Sequence, residues 1–306
     1  MKADAVLIAG PTASGKSSAA LALAEAIGGV IVNADSMQVY AEPRVLTARP
    51  SDADMARVPH LLYGHVSARE PYSVGRYQAD AAAALVEVHA MGRTPIFVGG
   101  TGLYFGALTD GLSDVPSVPA AIRDATAARR SALGADAFFA ELSARDPQTA
   151  AKLHASDTQR TLRAYEVLEA TGRPLAEWQA QSGRPVLAGL ALARFVIAPP
   201  RAELHARIDA RFERMIEQGA MNEAAALDGL DPALPAAKLL GLRELLAARA
   251  GAMTLDDAAT AAKVASRQYA KRQMTWFWQR MRDWAFVETA DQMNDALGST
   301  DIWKCP

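Results

Sequence analysis

The sequence lacks the features typical of secreted proteins, of membrane-spanning proteins and of proteins stabilised by a structural metal. Its 306 residues include a single cysteine, Cys305, so neither an internal disulfide nor a cysteine-based zinc site is possible within one chain. No apolar run reaches the roughly eighteen residues that a membrane-spanning helix needs. The N-terminus has no basic segment followed by an apolar core and a cleavage site. We therefore expect a soluble protein of the cytoplasm.

The sequence has no marked excess of acidic or of basic residues. Its five histidines show no spacing typical of metal ligands. The formal net charge of −2 argues weakly against a nucleic-acid partner, because phosphate-backbone binding draws on Lys and Arg. The segment between Asp257 and Asp283 differs, since it holds six basic residues and no acidic one. In it, Lys263, Arg267 and Lys271 recur every four residues and share one helix face. This face fits a solvated surface and an RNA contact equally well.

One short stretch carries a specific chemical signal. The stretch GPTASGKSS, residues 10–18, fits the pattern GxxxxGK[ST], in which backbone N–H groups cradle phosphate oxygens, the lysine neutralises them and the hydroxyl reaches Mg²⁺. It follows an apolar run, residues 5–9, and precedes an Ala- and Leu-rich stretch that predicts a helix over Ser17–Ile27. The motif therefore lies where a buried strand meets a helix N-terminus. The predicted phosphate-binding residues are Gly10, Pro11, Thr12, Ala13, Ser14, Gly15, Lys16 and Ser17, with Ser17 also a metal ligand.

Apolar β-rich runs alternate with helical stretches along much of the chain. This rhythm indicates an α/β fold, namely a P-loop NTPase-like parallel sheet with helices on both faces. The later predicted strands are Val30–Val32, Leu61–Tyr63, Pro95–Val98 and Arg194–Ile197. Residues 113–189 have helical spacing and no convincing strand, which predicts a helical insertion domain within a core of residues 1–112 and 190–306. Amphipathic helices are predicted over Arg201–Gln218, Lys238–Ala248 and Leu255–Trp284.

Polar side chains follow two of the predicted strands. Ligands of such sheets lie at the carboxyl ends of the strands, where residues 33–36 (NADS) and 99–102 (GGTG) stand. A carboxylate that accepts a proton and a nearby hydroxyl can orient an amine nucleophile, so Asp35 and Thr101 are candidate catalytic residues. Structural interpretations also stay open, with Asp35 as a turn former and Thr101 as a helix N-cap.

The residues alone leave two alternatives to a transfer onto an amine. Most loops of this type hold ATP or GTP, so one alternative is a small-molecule or nucleotide kinase in which Asp35 activates a hydroxyl acceptor. The other is a non-catalytic RNA-binding protein that uses nucleotide as a switch. A switch has no need of an amine-orienting pair, and a kinase leaves the basic C-terminal helix without a role.

Six stretches together resemble the tRNA dimethylallyltransferase family, also called the tRNA isopentenyltransferases. They are GPTASGKSS at 10–18, DSMQVY at 35–40, VGGTGLY at 98–104, DTQR at 157–160, LHARI at 204–208 and SRQYAKRQMTW at 266–276. The resemblance runs in the family's order from residue 6 to about residue 280. The second and third stretches are far more specific than the phosphate loop.

The resemblance implies a prenyl transfer with Mg²⁺ as cofactor. The donor would be dimethylallyl diphosphate, the acceptor N6 of adenosine 37 beside a tRNA anticodon, and the leaving group diphosphate. Lys16 and Ser17 would hold the diphosphate, Asp35 would accept a hydrogen from N6, and Thr101 would fix the amine. Arg207 and Arg211 also match a family pattern, with diphosphate binding and a surface ion pair equally open for them. We expect a monomer without a membrane partner.

The resemblance also implies a tRNA-binding surface. Its residues are Asp35, Ser36, Met37, Gln38, Thr101, Arg123, Gln159, Arg160, Thr161, Leu162, Arg163, Arg243, Lys271, Arg272 and Gln273. Those from Gln159 to Arg163 fall at the start of a helix in the insertion. Trp276 and Phe277 fit either base stacking or the buried stripe of their helix. RNA contact gives the basic, aromatic C-terminal helix a role, which favours the transferase.

Overall fold

The computed structural model describes residues 3–181 and 183–298, so Cys305 lies outside the described residues. The chain forms two compact units, Met1–Thr109 with Val186–Pro306, and Asp110–Pro185. The strands are β1 (Ala5–Ala9), β2 (Val30–Asn33), β3 (His60–Leu61), β4 (Pro95–Gly99), β5 (Leu192–Ile197) and β6 (Ala285–Val287). Within the described part of the chain, no helix combines the length and the apolar character needed to cross a bilayer.

Helices supply most of the remaining regular structure. They are α1 (Lys16–Ile27), α2 (Asp52–Arg57), α3 (Val74–Ala90), α4 (Gly102–Thr109), α5 (Ala120–Leu133), α6 (Ala135–Arg145), α7 (Pro147–Ala150), α8 (Thr158–Thr171), α9 (Leu175–Gln179), α10 (Arg201–Glu217), α11 (Ala220–Ala226), α12 (Leu242–Arg249), α13 (Leu255–Arg280) and α14 (Ala290–Gly298). A short 3-10 turn spans Pro235–Lys238. Helices α5 to α9 belong to the second unit, and the others to the first.

The strands form one sheet in the order β3-β2-β4-β1-β5-β6, and every neighbouring pair is parallel. This confirms the predicted parallel sheet. The order places β4 between β1 and β2, with Ala9 opposite Gly99 and Asn33 opposite Val98. The carboxyl ends of these three strands therefore meet at one edge, which we call the catalytic edge because the candidate catalytic residues Asp35 and Thr101 follow β2 and β4 there.

Two predicted elements have different bounds in the structure. The helix predicted to continue to Trp284 ends at Arg280, because Met281 leaves helical geometry at φ −121°, and the chain then forms β6 beside β5. The strand predicted over Leu61–Tyr63 is His60–Leu61 instead. Leu62 has a φ of +63°, a left-handed conformation that cannot continue a strand.

Each face of the sheet is covered by helices because alternate strand residues point to opposite sides. Leu7, Val32 and Phe97 lie in the larger core, with buried side chains of α3, α4, α11, α12 and α13. Ile8 and Ile96 lie in the smaller core, beneath α1 and α14. This two-sided burial explains why the strands read as continuous apolar runs rather than as alternating patterns.

A glycine is required where β4 ends. A Cβ atom built on Gly99 would lie only 2.0 Å from the backbone oxygen of Ala34. The chain following β2 therefore passes directly against β4, and the N–H of Thr101 donates to the same Ala34 oxygen at 3.2 Å. The first glycine of the GGTG stretch thus brings the segment after β2 and the segment after β4 together.

The second unit has its own core. Phe138, Leu142 and Tyr165 are buried together in it, and helices are the regular elements found among its described residues. The unit begins at Asp110 and ends at Pro185, whereas the sequence suggested residues 113–189. Residues 186–189 belong to the first unit because the N–H of Leu187 donates to the oxygen of Leu108, at the end of α4, at 2.9 Å.

Candidate active site

The phosphate motif forms a loop between β1 and α1. Gly15 adopts a φ of +91° and Ala13 a φ of +65°, so the backbone turns sharply before the helix begins at Lys16. The first N–H groups of a helix have no acceptor within it, and together with the helix dipole they attract anions. A Cβ on Gly10 would lie 2.8 Å from the oxygen of Ile197, so only glycine lets the loop start this close to β5.

Three cationic side chains surround this loop. Lys16 is 8% exposed, and its Nζ donates to the oxygen of Pro11 at 3.3 Å. From α10, Arg207 donates to the oxygen of Ser14 at 3.3 Å, and Arg211 donates to the hydroxyl of Thr12 at 2.5 Å. Both arginines thus contact the predicted phosphate loop. Arg207 also pairs with Glu203, so the ion-pair interpretation applies to it in part.

The charges at this point influence one another. Burial lowers the pKa of Lys16 from 10.5 to about 8, with the charge of Arg211 acting in the same direction and that of Asp35 opposing it. Burial also lowers the pKa of Arg211, again against the effect of Asp35. A carboxylate therefore lies among buried cations, and a bound polyanion would stabilise the charged form of Lys16.

This lowered pKa predicts a pH dependence of anion binding. Below about pH 8 the Lys16 ammonium is charged in the free protein, and as the pH rises through that value the charge is lost. We expect the affinity for inorganic pyrophosphate with Mg²⁺ to fall by up to about tenfold per pH unit above that point. Isothermal titration calorimetry across this range checks it. A Lys16→Arg variant stays charged, so an equal decline in that variant would contradict the assignment.

Asp35 is held by a turn directly after β2. Its N–H donates to the side-chain oxygen of the buried Asn33 at 2.8 Å, and its Oδ1 accepts from the N–H of Met37 at 3.0 Å. A Cβ on Gly100 would lie 3.1 Å from the other carboxylate oxygen, Oδ2. Asp35 is thus both a turn former and a carboxylate whose Oδ2 lies against the backbone of the GGTG stretch.

Thr101 lies against the same turn. Its Oγ1 accepts from the N–H of Ser36 at 2.8 Å and contacts the Ser36 hydroxyl at 3.1 Å. Tyr269, on α13, lies near Thr101. The Thr101 side chain therefore holds the segment after β2, rather than acting as the N-cap of α4. The structure brings the two predicted catalytic residues to the same edge.

Three tyrosines, the buried Tyr104 and the partly buried Tyr63 and Tyr269, lie near Asp35. Burial raises the pKa of Tyr63, Tyr104 and Tyr269, and the negative charge of Asp35 raises each of them further. These phenols stay neutral at physiological pH and give the carboxylate a wall of low polarity. Tyr104 and Tyr269 stand in two of the stretches that carry the family resemblance, whereas no local pattern distinguishes Tyr63 from a tyrosine of the core.

A cavity of about 150 Å³ opens beside the first turn of α1. Ser17, Ser18, Arg49, His60 and Tyr63 contribute polar groups to its lining. The rest is apolar, consisting of Leu21, Ile31, Ala48, Pro50 and Val98, with Asp54 at one side. Among residues 3–181 and 183–298, no group of three or more His, Cys, Asp or Glu side chains is placed to bind a metal.

The basic residues of α13 differ in exposure. Lys271 and Arg272 are exposed, and the Arg272 guanidinium lies over the Tyr269 ring at 5.6 Å. The other members of the basic stripe are used structurally, because Lys263 pairs with Glu213 on α10 at 2.7 Å and Arg267 pairs similarly with Asp209. The helix face predicted as one surface is therefore divided.

Gln273 differs from its two neighbours. The resemblance places it in the tRNA surface, but its side chain is only 6% exposed and bonds to the phosphate loop and to Gly100.

The aromatic residues Trp276 and Phe277 are used in packing. Phe277 is fully buried, and a Cβ on Gly102 would lie 2.2 Å from the Trp276 ring. Trp278, 60% exposed, is the aromatic side chain of this stretch that faces solvent.

Other residues predicted to bind tRNA vary in exposure. Ser36, Met37 and Gln38 are partly exposed, and the Gln38 amide donates to the oxygens of Thr47 and Ala48 at 2.9 Å each. Arg243, on α12, is exposed beside Glu244 at 3.5 Å.

Those in the helical unit also divide into exposed and buried groups. Arg123 is exposed and donates to the oxygen of Val118, Gln159 and Arg160 are exposed, and Arg163 lies 3.9 Å from Glu166. Thr161 is fully buried with its hydroxyl bonded to Asp157, and Leu162 packs on the core of the unit. The side chains of these last two take part in the packing of the unit, and their assignment to the tRNA surface stays a prediction.

Comparison with known proteins identifies the family. The model of the IPP transferase family matches residues 38–281, and that of an isopentenyl transferase family matches residues 3–70. The chain is 52% identical to a tRNA dimethylallyltransferase of Bradyrhizobium sp. over 297 residues, 96% of either chain. The chain belongs to the IPP transferase family. A second relative, from Parvibaculum lavamentivorans, is 54% identical over 93% of this chain and 91% of its own length.

Solved structures of the family have the same fold. A tRNA isopentenylpyrophosphate transferase from Bacillus halodurans superposes with a TM-score of 0.67 at 31% identity, covering 97% of this chain and 95% of its own. A eukaryotic dimethylallyltransferase acting on tRNA gives a TM-score of 0.77 at 27% identity, covering 89% of this chain and 69% of its own. Membership in this family favours the transferase over the kinase and the nucleotide switch.

Proposed function

We propose that this member of the IPP transferase family transfers a dimethylallyl group from dimethylallyl diphosphate to N6 of adenosine 37 in tRNA, with release of diphosphate. The observation that carries the proposal is the meeting of two groups at the catalytic edge. A phosphate loop with Lys16 and Arg211 lies beside a carboxylate, Asp35, and a hydroxyl, Thr101. A leaving group and an amine can be held next to each other there.

The cationic groups would act on the leaving group. Departure of diphosphate from the allylic carbon concentrates negative charge on its bridging oxygen, and preorganised donors in a poorly solvated site stabilise that charge strongly. Lys16 and Arg211 would provide two such donors, and the N–H groups at the start of α1 would provide others.

Mg²⁺ would be held by the substrate more than by the protein. The exposed Ser17 hydroxyl offers one hard oxygen ligand beside the cavity, and Mg²⁺ commonly completes its octahedron with phosphate oxygens and water. The residues present fit such a site. When bound, the ion neutralises part of the charge on the diphosphate.

The carboxylate and hydroxyl would act on the acceptor. N6 of adenosine is a weak nucleophile because its lone pair is delocalised into the ring, so catalysis depends largely on placing it. As the C–N bond forms and the allylic C–O bond breaks, Asp35 would accept the proton that leaves N6. Thr101 would hold the amine in line with the allylic carbon.

Water must be kept from the allylic carbon, which becomes cation-like as diphosphate leaves. Solvent attack there would yield free alcohol in place of modified tRNA. The buried Tyr104 and the partly buried Tyr269 lie near Asp35 and would limit access of solvent. The acceptor base would reach this site only after leaving the stack of the anticodon loop.

The decisive experiment uses the full chain, unmodified tRNA, Mg²⁺ and radiolabelled dimethylallyl diphosphate, with a parallel reaction containing ATP instead. We expect label in tRNA, and none when adenosine 37 is replaced by another nucleotide. ATP turnover without transfer of label would overturn the proposal and support the kinase.

The exposed cations of α13 predict how tRNA affinity responds to salt. We expect Lys271→Ala and Arg272→Ala each to weaken tRNA binding and to reduce the slope of log K against log salt by about 0.7–0.9 for each phosphate that is no longer neutralised. Filter binding at several salt concentrations measures the slope. Lys263→Ala is the matched control on the same helix, since Lys263 already pairs with Glu213. Equal slopes for all three variants would exclude this surface.

A further inference from the structure

Gln273 joins two backbone segments that are far apart in the sequence. Its Oε1 accepts from the N–H of Thr12 at 3.0 Å, and its Nε2 donates to the oxygen of Gly100 at 2.8 Å. The side chain is 6% exposed, so water competes little for either bond. A buried carboxamide with both atoms satisfied is a rigid element, because breaking either bond leaves a buried polar group unpaired.

Both partners belong to the catalytic edge. Thr12 lies in the phosphate loop, where its hydroxyl also accepts from Arg211. Gly100 precedes Thr101 directly, and a Cβ at Gly100 would lie 2.3 Å from the Gln273 Nε2. The second glycine of the GGTG stretch therefore makes room for this amide, much as the first makes room for Ala34.

The contact continues along one face of α13. Tyr269, four residues before Gln273, lies near Thr101, and Trp276, three residues after it, lies against Gly102. Positions i, i+4 and i+7 share a helix face, so this face follows the chain from Gly100 to Gly102. Lys271 and Arg272 are exposed to solvent on the same helix.

We propose that Gln273 is a positioning residue that sets the separation between the phosphate loop and the segment of Gly100 and Thr101 after β4. It acts through Thr12 on the leaving group and through Gly100 and Thr101 on the amine, and it does not touch tRNA. The inference rests on the proposed function, in which the rate depends on the alignment of those two reactants. It assigns Gln273 a role different from the tRNA contact that the resemblance implies.

The test compares three variants of the full chain. Gln273→Met removes both hydrogen bonds at similar size, and Gln273→Glu keeps the acceptor for Thr12 but faces the oxygen of Gly100 with a second acceptor when ionised. Met274→Leu is the packing control, since Met274 is a buried neighbour on the same helix. Single-turnover transfer at saturating tRNA, tRNA affinity by filter binding and amide hydrogen exchange of residues 10–18 are measured for each.

We expect Gln273→Met to lower the single-turnover rate by about 10²-fold, as misplacement of reacting groups does, with tRNA affinity within about threefold of the unsubstituted chain. Met274→Leu should retain the rate. Gln273→Glu should recover as the pH falls, because a protonated carboxyl can donate to Gly100. Its profile is read as a ratio to the unsubstituted chain, since Lys16, Asp35, Arg211 and Tyr269 carry titratable groups near this point.

Two results from the rate and affinity measurements would overturn the inference, as would one from hydrogen exchange. One is a rate for Gln273→Met equal to that of the unsubstituted chain. The other is a loss of rate that follows a matching loss of tRNA affinity, which would make Gln273 an RNA contact. The exchange measurement needs no catalysis: faster exchange of residues 10–18 in Gln273→Met than in Met274→Leu supports the inference, and equal exchange overturns it. A chain that transfers no label yet shows the exchange difference would contradict the proposed function alone.

Discussion

Replacing Asp35 by alanine is expected to reduce prenyl transfer by about 10²–10⁴-fold, the usual contribution of a general base. The negative charge of Asp35 shifts the pKa values of Lys16, Arg211 and Tyr269 together, so it lies at the centre of the site. Its removal leaves the exposed Lys271 and Arg272 unchanged. We therefore expect tRNA affinity to stay within about fivefold of the unsubstituted chain.

An Asp35→Asn variant distinguishes the loss of the carboxylate as a proton acceptor from a disruption of the turn after β2. An asparagine can still accept from the N–H of Met37, which preserves the turn after β2, but it cannot take a proton from N6. Single-turnover transfer of label and filter binding of tRNA measure the two effects. A fully active Asp35→Ala protein would remove the proposed mechanism, and an active Asp35→Asn protein would restrict the carboxylate to the turn.

Replacing Lys16 by methionine is expected to lower the activity and to raise the thermal stability. Loss of one preorganised donor to a developing negative charge reduces kcat by about 10²–10³-fold. The same change should raise Tm. Burial lowers the pKa of Lys16 to about 8, so at neutral pH the folded protein carries a charge that burial disfavours, and methionine removes it.

The pH dependence of stability gives this prediction a second readout. Between about pH 8 and the ordinary lysine value of 10.5, the unfolded chain binds the Lys16 proton and the folded chain does not. Stability from this group therefore rises with pH across that window in the unsubstituted protein, and the rise should disappear in Lys16→Met. Calorimetric Tm values at several pH values check it. A lower Tm for the variant at neutral pH would show that the buried ammonium is stabilising.

The phosphate loop and the sheet could be predicted because their signals are local. The apolar run of β1, the glycines of the loop and the helical stretch after them are contiguous, and each element follows from its own residues. Asp35 and Thr101 were found because the carboxyl ends of parallel strands share one edge. That argument needs only the strand ends, not the strand order.

The contacts made by Gln273 and Tyr269 could not be predicted from the sequence, whereas Arg211, a candidate for diphosphate binding, does contact the phosphate loop. Gln273 lies 261 residues from its partner Thr12, and its neighbours in the chain, Lys271 and Arg272, are exposed. A basic helix rich in aromatic residues looks like a surface, and only the packing of α13 shows which of its positions face the catalytic edge. Strand β6 was missed for a similar reason, because its three residues pair only with β5.

The points at which the chain leaves and re-enters the first unit bear on how the protein can vary in evolution. The chain leaves the first unit after Thr109 and returns at Val186, and within that unit the N–H of Leu187 bonds to the oxygen of Leu108. Departure and return are therefore adjacent, and closing such a short gap costs little chain entropy. A few linking residues would span it. An insertion at such a position can change in length between relatives while the strand order of the sheet is kept.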